Sequence, residues 1–326
     1  MKTAIITGIT SQDGAYLSKL LIEKGYRVIG LVRRSDSSIL KGLSYLGVAH
    51  KVSIEECNLL DITNIVGILQ KYRPDEIYNL AAQSSVGMSF AQPLGTIEFN
   101  LVSVLNLLES LKKADRSIRF YQASSSEMFG KVEDLPVTEK TTMHPLSPYG
   151  ISKAAAHMTT VYYREAFGLS AYCGILFNHE SFLRRETFFV KKVIKESLEI
   201  VEGKKEKLRL GNLDVFRDFG YAPEYVKAMW LILQSNRPDD YIICSGKSIS
   251  LRSIVQHVFM RLGISEEVLV IDRDLYRIAE IVNIYGSSEK AKTVLKWEYN
   301  LDFFDVLDKL IEEERLGKVY YMDSGG

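Results

Sequence analysis

The stretch "AIITGITSQDGAYL", residues 4–17, decides how the chain begins. A short apolar, β-rich run ends at Gly8, and a polar turn leads through Gly14 into a helix-like segment. A strand, a tight glycine turn and a helix start together make an anion site. Free backbone N–H groups and the positive end of the helix dipole then face the same point. Gly8 permits the turn, and Gly14 lets the helix pack closely. A third glycine usually stands between them, where backbone must approach a pyrophosphate; here that place is Ser11. The interrupted pattern alone also fits an ordinary turn into a helix.

Working outward, β-rich runs alternate with helical patterns. "TAIIT" (3–7) precedes a helix over 13–24, and "YRVIGLVRR" (26–34) is followed by "KVSIEECNL" (51–59) and a helix over 63–72. "EIYNLAA" (76–82) precedes a helix over 94–113, "IRFYQASSS" (118–126) one over 149–167, and "SAYCGILF" (170–177) closes the series. This alternation predicts an α/β fold: a Rossmann-type, doubly wound parallel sheet with a smaller, mixed α/β C-terminal lobe. Beyond 178 the pattern changes. Charged helical stretches (190–203, 223–235, 250–262, 288–294, 301–315) are separated by the short strands "LRLGN", "YIICSG" and "VLVID". The expected division is a dinucleotide domain over 1–178, to which segments near 208–245 return, and a substrate lobe over 179–326. Turn-rich "NHESFLRRE" (178–186) is the expected hinge.

Composition narrows the function classes. The 326 residues carry 41 basic and 41 acidic side chains, so bulk charge implies neither a nucleic-acid nor a membrane partner. Cys57, Cys173 and Cys244 are far apart, which argues against a disulfide framework or a zinc site and suits a reducing cytoplasm. No signal-peptide pattern and no apolar stretch of membrane-spanning length is read.

Three further places carry chemistry. At the end of the second strand, a fold selecting NAD usually puts an acid for the ribose hydroxyls; "LVRRSDSS" offers Arg33 and Arg34 instead. Paired guanidinium groups suit a 2′-phosphate, so the cofactor expected is NADP. In "SPYGISK", Tyr149 and Lys153 are four apart at a helix start, hence on one face. A nearby ammonium and the positive charge of a bound nicotinamide are both expected to lower the tyrosine pKa, making Tyr149 a base for a substrate hydroxyl. "ASSSEMFG" places Ser124, Ser125 and Ser126 at the carboxyl end of a parallel strand, where α/β folds bind ligands, with Glu127 next.

With those motifs in hand, the chain resembles the extended short-chain dehydrogenases/reductases, and within them the GDP-mannose 4,6-dehydratase family. The likeness runs almost end to end, through "RPDEIYNLAAQSSVGMSF", "RFYQASSSEMFG", "SPYGISK", "GILFNHES", "LGNLDVFRDFGYAPEYV" and "DRDLYRIAEI". It implies Ser125, Glu127, Tyr149 and Lys153 as the catalytic set, with Ser125 in the place of the family's threonine. It implies cofactor contacts from Gly8, Thr10, Ser11, Gln12, Asp13 and Gly14, from Arg33, Arg34, Asn58 and Leu59, and from Ala81, Ala82 and Ser84, besides Tyr149 and Lys153. For a GDP-sugar substrate it implies Ser84, Ser126, Asn178, Glu180, Lys192, Arg217, Arg277 and Glu280. It also implies pairing through helix bundles into a homodimer or, by stacking over the "RRSDSS" loop, a homotetramer. No metal is implied.

Three departures stand out: Ser11 for the middle glycine, Asn58 for an acid near the adenine, and "FLRR" (182–185) for "PRRG". The first two bear on cofactor affinity, and the third adjoins the substrate segment. Competing readings are a 4,6-dehydratase of GDP-N-acetylglucosamine or CDP-glucose, a 4-epimerase or 4-reductase of the same fold, and a silent NADP-binding scaffold. Glu127 disfavours epimerase and reductase, which need no base at C5, and the intact catalytic set disfavours the scaffold.

Overall fold

A computed structural model describes residues 1–34 and 40–323. Its centre is a seven-stranded, all-parallel sheet. The strands in chain order are β1 (Thr3–Thr7), β2 (Arg27–Val32), β3 (Val52–Glu56), β4 (Glu76–Asn79), β5 (Arg119–Ser125) and β6 (Ala171–Leu176). Further on come β7 (Asn178–Glu180), β8 (Leu208–Leu210), β9 (Phe216–Arg217), β10 (Phe219–Tyr221) and β11 (Asp240–Ile243). The order across the sheet is β3-β2-β1-β4-β5-β6-β11. The chain therefore reverses direction between β1 and β4, and a crevice opens at their carboxyl ends.

Strand periodicity assigns the two faces. Ala4 and Ile6 point into one cluster with Leu17, Leu21, Met229 and Ile232, while Ile5 points into another with Ile65, Leu107 and Phe120. Helices α1 (Gln12–Glu23), α2 (Lys41–Tyr45), α3 (Ile62–Tyr72), α4 (Val86–Ala91), α5 (Pro93–Ala114) and α6 (Pro148–Phe167) belong to the first lobe. Of these, α1 covers the first face and α3, α5 and α6 the second.

By length and composition α5 could cross a membrane, contrary to the sequence expectation that no such stretch exists. Its packing is that of a core helix. Buried Asn100 donates to Gln83 O and to Ser152 Oγ on α6, at 3.0 and 2.9 Å.

The second lobe has its own core, built from α7 (Phe189–Val201), α9 (Leu251–Leu262) and α10 (Phe303–Asp323) over β8 and β10. Between α7 and α9 in sequence, α8 (Ala222–Gln234) returns to pack on α1, and β11 returns as an edge of the large sheet. The segment expected to revisit the first domain thus divides. Asp240–Ile243 joins the sheet, whereas β8 pairs with β13 (Leu269–Ile271) outside it. The expected hinge opens as β7, which pairs in parallel with β10. Two further short strands, β12 (Ile249–Ser250) and β14 (Asn283–Ile284), flank β9, and the helix expected near 288–294 ends in a π-turn over Ala291–Leu295. Arg217 on β9 lies opposite Ile284 of β14, which draws the segment after Arg277 beside it, while the next strand, β10, is tied to β7 directly after β6.

Candidate active site

The turn after β1 is built by exclusion of side chains. Gly8 has φ +68°, and a Cβ there would stand 2.9 Å from the Ala81 nitrogen. A Cβ on Gly14 would lie 2.5 Å from Gly8 O, so only glycine lets α1 dock against the turn. Thr7 Oγ1 ties the turn to β4, accepting from the nitrogens of Leu80 and Ala81 at 3.1 Å each. Ser11 is the N-cap of α1: its hydroxyl accepts from Gly14 N at 3.1 Å.

A cleft of about 560 Å³ opens over this turn. It gathers Gly8, Thr10, Ser11, Arg33, Arg34, Asn58, Leu59, Ala81 and Ala82, all expected cofactor contacts. Gln83, Phe99, Cys57 and Arg185 line it too and were not anticipated. Its lining has three arginines and no carboxylate. Among the described residues no acid pairs with Arg33, Arg34 or Arg185. Forbidden side chains at the turn and uncompensated guanidinium groups in one cleft fit a phosphate-rich dinucleotide. The stretch Ser35–Ser38, assigned to stacking between subunits, lies outside the described residues.

Gln12 and Asp13 turn their side chains away from the cleft. Gln12 donates to His179 O at 3.0 Å and accepts from Ser181 Oγ at 2.7 Å. Asp13 Oδ1 and Oδ2 each lie 2.9 Å from His179 Nε2. Burial alone would raise the Asp13 pKa, but His179 and Arg184 hold its carboxyl below the usual range. Neither of these two expected cofactor contacts, nor Gly14, lines the cleft. Ser84 is exposed just before α4.

The reacting end lies where β5 meets α6. Ser147 caps α6 through Gly150 N at 3.0 Å, and Pro148 opens its first turn, which brings Tyr149 and Lys153 inward and buries both. Ser125 accepts from Glu127 N at 3.3 Å and hydrogen-bonds Tyr149. Ser124 points elsewhere, to His157 Nδ1 at 2.9 Å, because adjacent strand residues face opposite ways. Ser126 is buried in the 3₁₀ turn that carries Glu127.

The Tyr149 pKa does not fall as the Tyr–Lys spacing suggested. Burial pushes it up to about 12, and the Glu127 charge adds to that, against the Ser125 hydrogen bond and the Arg184 charge. Lys153 Nζ sits 5.9 Å from the Tyr149 ring centre and donates to Ala123 O at 2.8 Å. Its own pKa is lowered to about 8 by burial.

Three of the expected substrate residues converge on Glu127. Arg217 is buried, donating to Ile281 O at 2.6 Å and to Glu280 Oε1 at 2.8 Å. Arg277 lies 3.5 Å from the same Glu280 oxygen and 4.0 Å from Glu127 Oε1. Glu280, expected to meet base or ribose, is thus paired with both arginines. The Glu127 side chain keeps 15% exposure, open to a ligand at this end. Asn178 adjoins the group through Asp218 O at 3.3 Å. Lys192 instead donates to Arg209 O at 2.8 Å, and Glu180 is buried against Arg184 at 3.5 Å. The sequence reading missed Arg184, which acts on both Tyr149 and Asp13; its signal was the altered "FLRR".

A Rossmann sheet with a glycine turn and an inward Tyr149/Lys153 pair beside a strand-end serine defines the extended short-chain dehydrogenase/reductase class. The family described as GDP-mannose 4,6 dehydratase matches residues 5–310, and the chain belongs to that family. It is 41% identical to GDP-mannose 4,6 dehydratase 1 of Arabidopsis thaliana, over 96% of this chain and 90% of that one. It is 38% identical to GDP-mannose 4,6-dehydratase of Sinorhizobium fredii, over 96% of each. Among solved structures, UDP-glucose 4-epimerase of Thermotoga maritima with UDP-glucose superimposes at a TM-score of 0.86, with 22% identity over 97% of this chain and 99% of that one. dTDP-glucose 4,6-dehydratase of Bacillus anthracis in complex with NAD gives 0.84, with 20% identity over 97% of each. Both share the fold.

Lys153 makes the site's electrostatics measurable. Below about pH 8 its ammonium is present in folded and unfolded chains alike, and burial charges the full cost to the fold. From about 8 to the usual 10.5 the unfolded chain still holds a proton that the folded one has released, so stability rises with pH. Lys153→Met should therefore melt above wild type below pH 8, with the gap closing toward pH 10.5. Ala123 O keeps a donor in Gln122 Nε2 at 3.1 Å, so the comparison is clean. Parallel melting curves across that range would refute the buried ammonium.

Proposed function

We propose that the protein is a hydro-lyase that converts GDP-mannose to GDP-4-keto-6-deoxymannose, with NADP bound in the arginine-lined cleft. The observation that carries the reading is Glu127, a carboxylate placed between the Tyr149–Ser125 pair and the Arg217–Glu280–Arg277 group. Oxidation at C4 needs Tyr149 alone; loss of water across C5 and C6 needs a second acid/base beside it.

Tyr149 takes the proton of the sugar 4-hydroxyl, with Ser125 hydrogen-bonding the same oxygen and Lys153 holding the α6–β5 junction through Ala123 O. What the bound dinucleotide supplies is a reversible hydride store, filled from C4 and emptied at C6. Glu127 removes the C5 proton, which the adjacent 4-ketone makes acidic, and hands it to the departing 6-hydroxyl, which leaves as water. As C6 regains hydride, C5 takes up a solvent proton relayed by Glu127, balanced by the proton that Tyr149 took from O4 and returns to solvent. Arg217 and Arg277 face the nucleotide diphosphate with charge-assisted hydrogen bonds. The cofactor's 2′-phosphate is assigned to Arg33 and Arg34. Cytoplasmic placement rests on three free, buried thiols.

The protein is read as a homodimer. Leu94 on α5 is 83% exposed, and Ile151, Met158 and Tyr162 are exposed on α6, which packs beside it. Apolar side chains of this size on two adjacent helices suit burial against a second copy. Light scattering at micromolar concentration should give at least twice the chain mass; a monomer would overturn this.

Replacing Arg33 and Arg34 together by alanine should weaken NADP binding by about 10²–10⁴-fold and NAD binding little, since each of the two lost charged hydrogen bonds is worth about 1.5–3 kcal/mol. Equal wild-type affinity for the two cofactors would sink the NADP assignment.

The decisive test is Glu127→Gln, which keeps size and polarity but cannot take the C5 proton. Turnover of GDP-mannose should fall by about 10²–10⁴-fold. Reduced cofactor should still form on the enzyme, and the C5 proton should no longer exchange with deuterated water. Dehydration at the wild-type rate would make Glu127 structural and restore the epimerase or reductase reading.

A further inference from the structure

Ser11 and Arg185 both depart from the family's glycines, in "TGITSQDG" and in "NHESFLRR", and the fold brings them together. Beside the cofactor cleft lies a second cleft, between the glycine turn, α2 and the 182–186 arm. The residues lining both are Thr10, Ser11 and Arg185 alone. Arg185 therefore stands across from the turn, at the junction of the two openings.

The two substitutions have opposite effects on anion binding. Ser11 spends its hydroxyl on Gly14 N, withdrawing one N–H from those that the start of α1 offers an anion. Arg185 adds a guanidinium on the other side. Its neighbours are engaged: Arg184 lies against Glu180 at 3.5 Å and over the Phe188 ring, and Glu186 pairs with Lys195 at 2.5 Å. Arg185 is exposed, and among the described residues no carboxylate holds it.

We propose that Arg185 is a clamp from the second lobe that binds the cofactor's pyrophosphate across the Thr10–Ser11 turn, replacing the donor that the Ser11 side chain withdraws. The inference rests on the dinucleotide reading of the cleft. It separates two anion subsites: Arg33 and Arg34 take the phosphate that distinguishes NADP, and Arg185 takes the diphosphate that NADP and NAD share.

Calorimetric binding to the purified, full-length protein tests this with three probes. NADP⁺ carries both anions, NAD⁺ only the pyrophosphate, and adenosine 2′-monophosphate the 2′-phosphate with no phosphate at the 5′ position. Arg185→Ala should weaken NADP⁺ and NAD⁺ by the same factor, about tenfold, and leave adenosine 2′-monophosphate unchanged. Arg185→Lys should recover part of the loss, since a lysine keeps the charge without the fork. In a Ser11→Gly background the Arg185→Ala effect should shrink, because the helix end regains its free donor. Unchanged dinucleotide affinity in Arg185→Ala overturns the clamp. An equal loss for adenosine 2′-monophosphate moves Arg185 to the 2′-phosphate and also overturns it. Additive effects of Ser11→Gly and Arg185→Ala overturn the compensation. If the wild type binds neither dinucleotide, the cofactor reading itself falls, and the clamp with it.

Discussion

Asp13 is the hinge of the whole arrangement. It sits in the first turn of α1, under the glycine turn, half-buried, its carboxyl held low by His179 and Arg184. A hydrogen bond to a charged group of this kind contributes about 1.5–3 kcal/mol. The chain thereby couples the first twenty residues to the arm that follows β6. Gln12 repeats the tie from the next position, through His179 O and Ser181 Oγ. The phosphate turn is thus fastened to the arm that carries Arg184 and Arg185 and, through the pairing of β7 with β10, to the strand beyond Arg217. Cofactor cleft and substrate group are held in one frame by contacts made on the far side of α1 from the ligand.

That frame explains which part of the site was legible in the sequence. Strands with uniform apolar character, such as "TAIIT" and "SAYCGILF", announce themselves locally. So do Gly8 and Gly14, whose missing side chains are demanded by Ala81 and Gly8 O. The family resemblance supplied the four residues proposed as catalytic, and the fold brings Ser125, Glu127 and Tyr149 together with Lys153 beside them. Where sequence reading failed, the cause is tertiary. The fall expected for Tyr149 assumed that a lysine four residues away governs its titration. Burial does, and Lys153 spends its hydrogen bond on Ala123 O. Glu280 reads as a free acceptor until two arginines from different elements close on it. The strands of two or three residues in the second lobe are too short for any periodicity to show.

The pKa that contradicted the spacing argument is itself useful to the proposed chemistry. A phenol raised to about 12 by burial and by the Glu127 charge gives, once deprotonated, a phenolate of high proton affinity. Such a base takes the O4 proton readily. Because Glu127 is one source of the shift, a charged carboxylate there opposes a Tyr149 phenolate. When Tyr149 takes up its proton it becomes neutral, and Glu127 is left as the site's remaining anion facing C5. When Glu127 takes the C5 proton, the opposition to a Tyr149 phenolate disappears. Arg277 lies 4.0 Å from Glu127 and 3.5 Å from Glu280, beside the face where C5 would be presented. The order of events follows from the sugar itself: the C5 proton is acidic only once C4 is a ketone, so oxidation precedes elimination and the two bases act in turn.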